Sequence, residues 1–316
     1  MEENLPPRIV EETELPTTRR AVSEGAEKWL YRPIPRLDHG FVYLVDYLGN
    51  DHAIAEAARV SLGRGTKKAS SDRGLIRRLC RDVHTSPFEM VEFKFHAKMP
   101  IFVARQWIRH RTANVNEYSG RYSEMSDEFY LPEPDVLRKQ SKTNKQGRDE
   151  DLTPEQKELV HDILLAQYDL ARRNYRKFLE MDIAKELARI GLSVANYTEW
   201  YWKIDLHNLM HFLRLRLAPE AQYEIRIFAE AMAQIVKDSV PIAFEAFEDY
   251  RLKAMTLSRM EIEFIREHQG ALPLPKGYAL TLLCEILGGE EFRKDKRVAE
   301  AEDAVAKLEK LGLVIS

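Results

Sequence analysis

The sequence predicts an α+β protein that is mostly helical and contains a small antiparallel sheet. Two kinds of segment lead to this prediction: short stretches in which apolar and polar residues alternate, and longer stretches that begin with helix-start signals. The two kinds do not alternate regularly along the chain, so the pattern favours α+β over a parallel βαβ architecture. No Gly-x-Gly-x-x-Gly motif occurs, which argues against a Rossmann nucleotide site.

The composition is that of a globular protein with room for a sizeable core. The 316 residues are 44% hydrophobic and 31% charged, and the net charge of −3 gives no electrostatic reason to expect nucleic-acid binding. No apolar run approaches the length of a membrane span, and the acidic N-terminus lacks the features of a signal peptide. The two cysteines, Cys80 and Cys284, are far apart, so we expect a reduced, cytoplasmic protein.

The first elements are predicted from alternation and from caps. Residues 39–48 predict a strand, and a helix over residues 51–61 can be capped by Asn50 or Asp51. A further helix is expected between residues 71 and 83.

The next segment alternates between apolar and polar residues and then becomes largely apolar. After a compact turn at residues 84–89, every second residue from Val91 to Ala97 is apolar, which predicts a strand with one buried face. The apolar run over residues 100–108 begins with Pro100 and predicts a buried helix that starts at this proline.

Residues 109–122 form an unusually polar segment directly after that helix. The arginines of this segment suit bidentate binding of phosphate, and His110 lies between two of them. Gly120 permits a close approach of the backbone or a special φ angle. We infer a site for an anionic small molecule. On charge alone, a solvated charged segment at the end of a helix is the alternative.

The middle of the chain predicts a loop, a long helix and an aromatic strand. Residues 138–151 contain no apolar residue and are expected to form a mobile surface loop. Thr153 is followed by proline and, three residues later, by glutamine, which predicts a helix that continues to about residue 181. A segment with Arg189 follows, and the aromatic run over residues 196–203 predicts a strand.

Several helices are expected in the remaining chain. One covers residues 205–216, where Leu209, Leu213 and Leu215 help to pack the helix, and a long one runs from Pro219 towards residue 250. A capping box that begins at Ser258 predicts another helix, residues 269–277 predict a loop, and residues 298–311 predict a charged terminal helix.

The helix over residues 205–216 carries two histidines four residues apart. His207 and His211 therefore share a face, as two zinc ligands on a helix do. Asn208 stands where the glutamate of a His-Glu-x-x-His motif would be, and no third ligand is visible, so no metal site is predicted.

The polar segment resembles the signature of the flavin-dependent thymidylate synthases. It reads Arg-His-Arg, then seven residues, then serine, with Asn116-Glu117 before the serine and Gly-Arg-Tyr after it. The similarity runs from about residue 39 to about residue 250. Further segments match the family at residues 58–61, 84–89, 100–107, 215–216 and 221–225.

The resemblance implies an enzyme that methylates dUMP to dTMP. In this family FAD carries the electrons, methylenetetrahydrofolate supplies the carbon, NADPH is the reductant, and no protein nucleophile is used. The family assembles as a homotetramer with active sites shared between subunits. The resemblance places a catalytic flavin- and dUMP-binding domain at residues 39–250. Residues 1–38, rich in Pro, Glu and Arg, predict a mobile or wrapping N-terminal arm, and residues 251–316 predict a helical C-terminal extension. The preference for NADPH over NADH stays open.

The resemblance also implies site residues, with Arg216 as the catalytic one. The implied FAD contacts are Ser61, Ser86, Arg109, His110, Arg111, Glu117, Asp205, His207 and His211. The implied dUMP contacts are Gln106, Arg109, Glu117, Ser119, Gly120, Arg121, Arg189 and Arg216. The chain departs from frequent family residues at Ser193, Asp205, His211, Ala218 and Glu220.

The cysteines agree with a route that needs no nucleophile. Cys80 lies on a predicted amphipathic helix and Cys284 in an apolar run, so both are expected to be structural. Arg216 could polarise the uracil ring at N3 and O2 instead. Two alternatives stay open: a non-catalytic nucleotide-binding or regulatory module, and an RNA-binding protein that uses the arginines.

Overall fold

The computed structural model describes residues 20–60, 71–142, 147–286 and 298–315. The chain divides into two compact units, the first ending at Lys253 and the second beginning at Ala254. Each unit contains a hydrophobic cluster of its own. No helix in these ranges is long and apolar enough to cross a membrane.

The first unit is built on a five-stranded antiparallel sheet. Its described strands are β1 (Ile34–Arg36), β2 (Gly40–Leu48), β3 (Glu92–Pro100), β4 (Asn114–Glu117), β5 (Arg138–Gln140), β6 (Arg148–Asp151) and β7 (Tyr197–Asp205). The sheet order is β1-β2-β3-β7-β4, and β5 pairs with β6 alone. The prediction of a mostly helical α+β fold with an antiparallel sheet is confirmed.

Helices surround this sheet. They are α1 (Glu24–Glu27), α2 (Asp51–Val60), α3 (Asp72–Arg81), α4 (Ser86–Glu89), α5 (Ile101–Trp107), α6 (Pro154–Glu180), α7 (Lys185–Ala188), α8 (Leu206–Arg216), α9 (Tyr223–Ser239) and α10 (Pro241–Phe247). Short 3-10 turns occur at Pro134–Val136 and Arg189–Gly191, and a π-helical turn at Glu248–Leu252.

An aromatic cluster joins α5, α8 and α9 to the sheet. The ring of Trp107 lies 5.3 Å from that of Trp202, 5.2 Å from that of Phe212 and 6.0 Å from that of Phe228, measured between centroids. All four side chains are buried. Because aromatic side chains bury large apolar areas, this cluster fixes the C-terminal end of α5 against β7. The polar segment begins directly after this end of α5.

The predicted caps are confirmed wherever they fall within the described residues. Asn50 Oδ1 accepts a hydrogen bond from the Ala53 amide, and Ser71 Oγ accepts one from Gly74. Thr153 and Ser258 both complete reciprocal capping boxes. Such motifs contain both partners within four residues, so they can be predicted without the fold.

The predictions near prolines need correction. Pro100 does not start α5 as its first helical residue. It is the last residue of β3, pairs with Tyr197, and caps α5 in an extended conformation. The long helix predicted towards residue 250 is broken at Val240, because Pro241 has no amide hydrogen and starts a new helix, α10. The carboxylate of Asp51 accepts hydrogen bonds from the first free amides of α10.

Two further predictions are wrong in part, and a third lies partly outside the described residues. The surface loop predicted over residues 138–151 contains the β5–β6 pair, held by opposite charges such as Arg138 and Asp151 at 3.3 Å; residues 143–146 of that prediction lie outside the described residues. Leu215 does not pack α8: its side chain is exposed, while Leu209 and Leu213 are fully buried. The arm predicted over residues 1–38 contains α1 and β1, and residues 1–19 lie outside the described residues.

The second unit is small and mainly helical. It contains α11 (Arg259–His268), β8 (Leu274–Pro275), α12 (Lys276–Ile286), α13 (Val298–Lys310) and β9 (Val314–Ile315). Strands β8 and β9 pair in parallel, so the loop predicted over residues 269–277 is wrong from Leu274 onwards. The side chains of Phe264, Leu283 and Leu308 are fully buried in its core.

Candidate active site

The polar segment follows α5 and forms an edge strand of the sheet in its middle. Its residues Asn114–Glu117 form β4, which pairs with β7. In this pairing Asn114 lies opposite Lys203, and Glu117 lies opposite Trp200. All four β4 residues are exposed. An exposed edge strand of polar residues has no packing role, so its side chains are available for ligands.

Four of the predicted dUMP contacts line one cavity of about 360 Å³, here called the signature cavity. These residues are Glu117, Ser119, Arg121 and Arg189. Gly120 is buried beside it: a Cβ atom there would lie 2.5 Å from Met125 Sδ and 3.1 Å from Arg189 Nη1. A larger residue at this position would therefore require the Met125 and Arg189 side chains to move.

Hydrogen bonds fix part of the signature cavity. Ser119 Oγ accepts from the Arg121 amide at 3.3 Å, and Glu117 Oε1 accepts from Thr198 Oγ1 at 2.7 Å. Arg121 Nε donates to Glu186 at 3.0 Å in an exposed pair.

Two cations of the signature cavity have no carboxylate partner. Within the described part of the chain, neither Arg105 nor Arg189 forms an ion pair. Unpaired guanidinium groups beside the Ser119 hydroxyl are the donors that a phosphate monoester requires. The sequence interpretation did not include Arg105, which lies on α5 four residues before Arg109.

Two further predicted dUMP contacts, Gln106 and Arg216, line a second cavity of about 630 Å³, here called the Arg216 cavity, whereas Arg109 lines neither cavity. Gln106 comes from α5 and Arg216 from the end of α8, while Gln140 and Arg148 come from the β5–β6 pair. Ala218 and Glu220, two departures from the family pattern, also lie on its wall. Gln106 Oε1 is buried and has no hydrogen-bond partner among the described residues, so it is free to meet a ligand. No residue lines both cavities.

Arg216 is held by a histidine of the signature. Its Nε donates a hydrogen bond to His110 Nε2 at 3.1 Å. Burial, together with the nearby charge of Arg216, lowers the pKa of His110 to about 4. Burial also lowers the pKa of the Arg216 guanidinium. The imidazole is therefore neutral at physiological pH and the guanidinium charged.

The predicted flavin contacts are more scattered. His207 and His211 line a cavity of about 180 Å³ together with His84 and Thr85, and Ser86 follows Thr85 as the first residue of α4. Part of this cavity's wall is apolar, formed by residues such as Leu79, Phe88 and Met210. Ser193 lies in neither this cavity nor the other two.

The remaining predicted flavin contacts have different surroundings. Arg109 and Arg111 are exposed, and neither has an ion-pair partner among the described residues. The carboxylate of Asp205 caps α8 by accepting from the Asn208 amide and side chain, at 2.9 and 2.8 Å. Ser61 lies outside the described residues.

Neither a metal cluster nor an activated cysteine accompanies these cavities. In the described ranges, no group of three or more His, Cys, Asp or Glu residues could hold a metal ion. Cys80 and Cys284 are both free and buried. Burial raises the pKa of the Cys80 thiol, so this side chain stays neutral and is a poor nucleophile.

Comparisons with known proteins agree with the signature. The family model described as "Thymidylate synthase complementing protein" matches residues 43–242. A flavin-dependent thymidylate synthase of Ruegeria pomeroyi is 51% identical over 281 residues, which cover 88% of this chain and 91% of that protein. One from Rickettsia bellii is 52% identical over 265 residues, covering 79% and 90%. The solved structure of a UMP/dUMP methylase from Streptomyces cacaoi bound with 5-Br dUMP has a TM-score of 0.63 and 34% identity, covering 69% of this chain and 97% of that one.

Proposed function

The chain belongs to the flavin-dependent thymidylate synthase family, and from this premise we propose how its cavities share the reaction. It is an FAD-dependent methyltransferase that converts dUMP to dTMP. We propose methylenetetrahydrofolate as the carbon donor and NADPH as the reductant. The catalytic domain is assigned to residues 39–250 and the helical extension to residues 251–316. Buried free cysteines are consistent with a reducing, cytoplasmic location.

The signature cavity is proposed to bind the phosphate of dUMP, and the Arg216 cavity its uracil ring. The observation that carries this proposal is the contrast between their donors. The first cavity offers unpaired guanidinium groups and the Ser119 hydroxyl, which suit a phosphate. The second offers the Gln106 amide and one guanidinium, which suit the carbonyl and imide groups of a pyrimidine.

Arg216 is proposed to stabilise charge on the uracil ring. Methylation at C5 moves electron density onto the ring carbonyls, and a fixed cation beside N3 and O2 favours that state. Among the described residues, only Nε of its three nitrogens has a hydrogen-bond partner, which leaves two nitrogens to donate to the ring. No protein atom needs to bond to the nucleotide, because Ser119 Oγ has no base within hydrogen-bond distance in the described chain.

The flavin is proposed to contact Ser86, Arg109, Arg111, His207 and His211. The donor set fits FAD: the unpaired arginines suit a diphosphate, and the partly apolar cavity beside the histidines suits a ring. When bound, FAD supplies the electrons for the reductive step. The protein's part is to orient the ligands and to hold Arg216 in place.

We propose that each dUMP site is shared between two copies of the chain in a homotetramer. Six of the eight predicted dUMP contacts line two cavities that have no lining residue in common. Exposed apolar side chains also lie on one face of α6, where Leu159, Ile163 and Leu170 are 58%, 49% and 53% exposed. Contiguous exposed apolar side chains of this kind mark protein contacts.

Complementation tests the shared site. Arg189→Ala damages the phosphate half and Arg216→Ala the uracil half, so each variant alone should form little dTMP. When both are co-expressed with different tags and purified through both tags, roughly a quarter of the sites should receive two intact halves if the subunits mix at random. A mixture of Arg121→Ala and Arg189→Ala, which damage the same half, is the matched control and should stay inactive. Mixed oligomers that show no recovery would place each whole site within one chain.

The reaction itself is tested by turnover. The purified protein should show a flavin absorption spectrum, and dTMP should form from dUMP with methylenetetrahydrofolate and NADPH. A bound flavin without turnover would favour the non-catalytic nucleotide-binding module. Absence of flavin together with RNA binding would favour the RNA-binding alternative.

A further inference from the structure

The single hydrogen bond of the Arg216 side chain within the described residues is the one to His110. Nε donates to His110 Nε2 over 3.1 Å, which requires a lone pair on that nitrogen. The imidazole is therefore neutral and carries its proton on Nδ1. We propose that His110 is a positioning residue, which aims the Arg216 guanidinium at the pyrimidine ring. This inference rests on the proposed role of Arg216.

The imidazole itself is fixed by the core. The His110 amide donates to the Trp107 carbonyl at 3.0 Å, and its ring lies edge to face on Phe212 with 4.9 Å between centroids. Trp107 and Phe212 are fully buried and stack on each other. His110 thus transmits a fixed position from the aromatic cluster to the end of α8.

The net charge of the His110–Arg216 pair explains why a histidine, and not a carboxylate, accepts the hydrogen bond from Arg216. A carboxylate at this position would neutralise Arg216 and compete with the pyrimidine for its donors. A neutral imidazole accepts one hydrogen bond and leaves the positive charge for the ligand. Burial and the neighbouring charge of Arg216 keep His110 neutral across the physiological range, so the acceptor persists.

Positioning reduces the conformational freedom that binding would otherwise have to remove. A free arginine side chain has several rotatable bonds and loses rotamer entropy when it is immobilised. With Nε held, the direction of the guanidinium plane is set and its two terminal nitrogens present a fork to the cavity. Preorganised donors of this kind need no rearrangement when dUMP arrives.

The role differs from a simple flavin contact, which the family resemblance implies for His110. A flavin contact would act on FAD affinity whether or not Arg216 is present. A positioning residue acts on dUMP only through Arg216. The two roles are therefore separated by a double-mutant cycle.

The cycle uses the FAD-loaded full-length protein, with the dUMP dissociation constant measured by isothermal titration calorimetry. His110→Leu should weaken dUMP binding roughly ten-fold or more, as expected when a hydrogen bond to a charged group is lost. His110→Gln places an amide oxygen near the Nε2 position and should stay within about three-fold of wild type. His110→Asn, whose amide is one methylene shorter, should behave like His110→Leu. In the Arg216→Ala background, His110→Leu should change the constant less than about two-fold.

Controls separate positioning from general damage. His39→Leu removes an exposed histidine that lines none of the three cavities, and it should leave dUMP binding unchanged. Circular dichroism and the flavin spectrum report the folding and FAD content of each variant. If His110→Leu does not fold, the glutamine and asparagine variants decide the question.

Four results would overturn the inference. Equal weakening by His110→Leu with and without Arg216 would show that His110 acts independently. Equal behaviour of the glutamine and asparagine variants would show that the acceptor is not the important property. Unchanged binding in Arg216→Ala would remove the proposed function of Arg216 and the inference with it, whereas weakened binding there together with normal binding in His110→Leu would remove only the inference.

Discussion

The buried carboxylate of Glu224 should make Arg148 the most sensitive position of the β5–β6 pair. Glu224 is 2% exposed at the start of α9. Its carboxylate accepts from Arg148 Nη2 at 2.6 and 2.8 Å, from the Tyr130 hydroxyl at 3.3 Å and from Gln222 Nε2 at 2.9 Å. The β5 and β6 residues are exposed, and this ion pair joins their strand pair to a buried carboxylate beside the Arg216 cavity.

Arg148→Leu leaves a buried carboxylate with two neutral donors. Removing one partner of a fully buried ion pair costs about 3–5 kcal/mol. The Arg148 side chain is 34% exposed, so water screens part of the interaction and we expect a loss of about 2–3 kcal/mol. At about 2–4 °C per kcal/mol for a domain of this size, the melting temperature should fall by roughly 4–12 °C.

The assay is thermal unfolding of the FAD-loaded protein at a fixed concentration, with hydrogen exchange at the β5 and β6 amides. Arg138→Leu is the matched control: it removes an arginine of the same strand pair, whose partner Asp151 lies 3.3 Å away with both side chains exposed. Such a surface pair should cost less than about 0.5 kcal/mol. The double variant Arg148→Leu, Glu224→Leu should recover stability, because no unpaired carboxylate is left. The reasoning would be refuted if Arg148→Leu had the same melting temperature as the wild type. It would also be refuted if the double variant were no more stable than Arg148→Leu.

Four further results are expected. Replacing Cys80 and Cys284 together by alanine should leave dTMP formation nearly unimpaired, and mass spectrometry of quenched turnover should find no uridylate on the protein. Ser119→Ala should retain slow dTMP formation, whereas Arg216→Ala should lose about 10²–10³ in rate, the usual effect of removing one preorganised electrostatic group. Removal of the second unit should leave FAD binding and turnover largely intact, because the implied contacts all lie in the first; a soluble truncated protein without flavin would contradict this. Finally, His110 has a pKa of about 4 in the folded protein and about 6.5 in the unfolded chain, so the unfolded chain binds the proton at higher pH. The free energy of unfolding should therefore decrease as pH falls from 6.5 towards 4, and it should decrease less in His110→Gln. Equal acid sensitivity of both proteins, measured by urea unfolding, would contradict the pKa assignment.

Elements with local signals could be predicted from the sequence. The capping boxes at Thr153 and Ser258 contain both hydrogen-bond partners within four residues, and β3 shows its buried face through simple alternation. Strand β4 has no such signal. Its residues are all exposed, and its partner β7 lies more than eighty positions later, as the pairing of Asn114 with Lys203 shows.

The site shows the same limit. The signature motif drew attention to Ser119, Arg121 and Gly120, which the fold does bring together with Arg189. It could not indicate that Gln106 and its neighbour Arg105 face different cavities, since this depends on how α5 is rotated against the sheet. Charge patterning along one chain reports composition, whereas the direction of each side chain is set by packing.

The unpaired arginines connect the fold to the ligands. Arg105, Arg109, Arg111 and Arg189 all lie at or beside the signature without an ion-pair partner among the described residues. Several helical arginines elsewhere in the first unit do have carboxylate partners, as Arg77 has Glu245 and Asp249. Unpaired like charges repel one another, so this group of arginines destabilises the folded protein while no anion is bound. Anions that bind only the folded state remove this repulsion and shift the folding equilibrium by mass action, so both dUMP and FAD should stabilise the protein against unfolding. Ligand binding is therefore expected at these unpaired arginines, because proteins usually leave charges unpaired at functional sites.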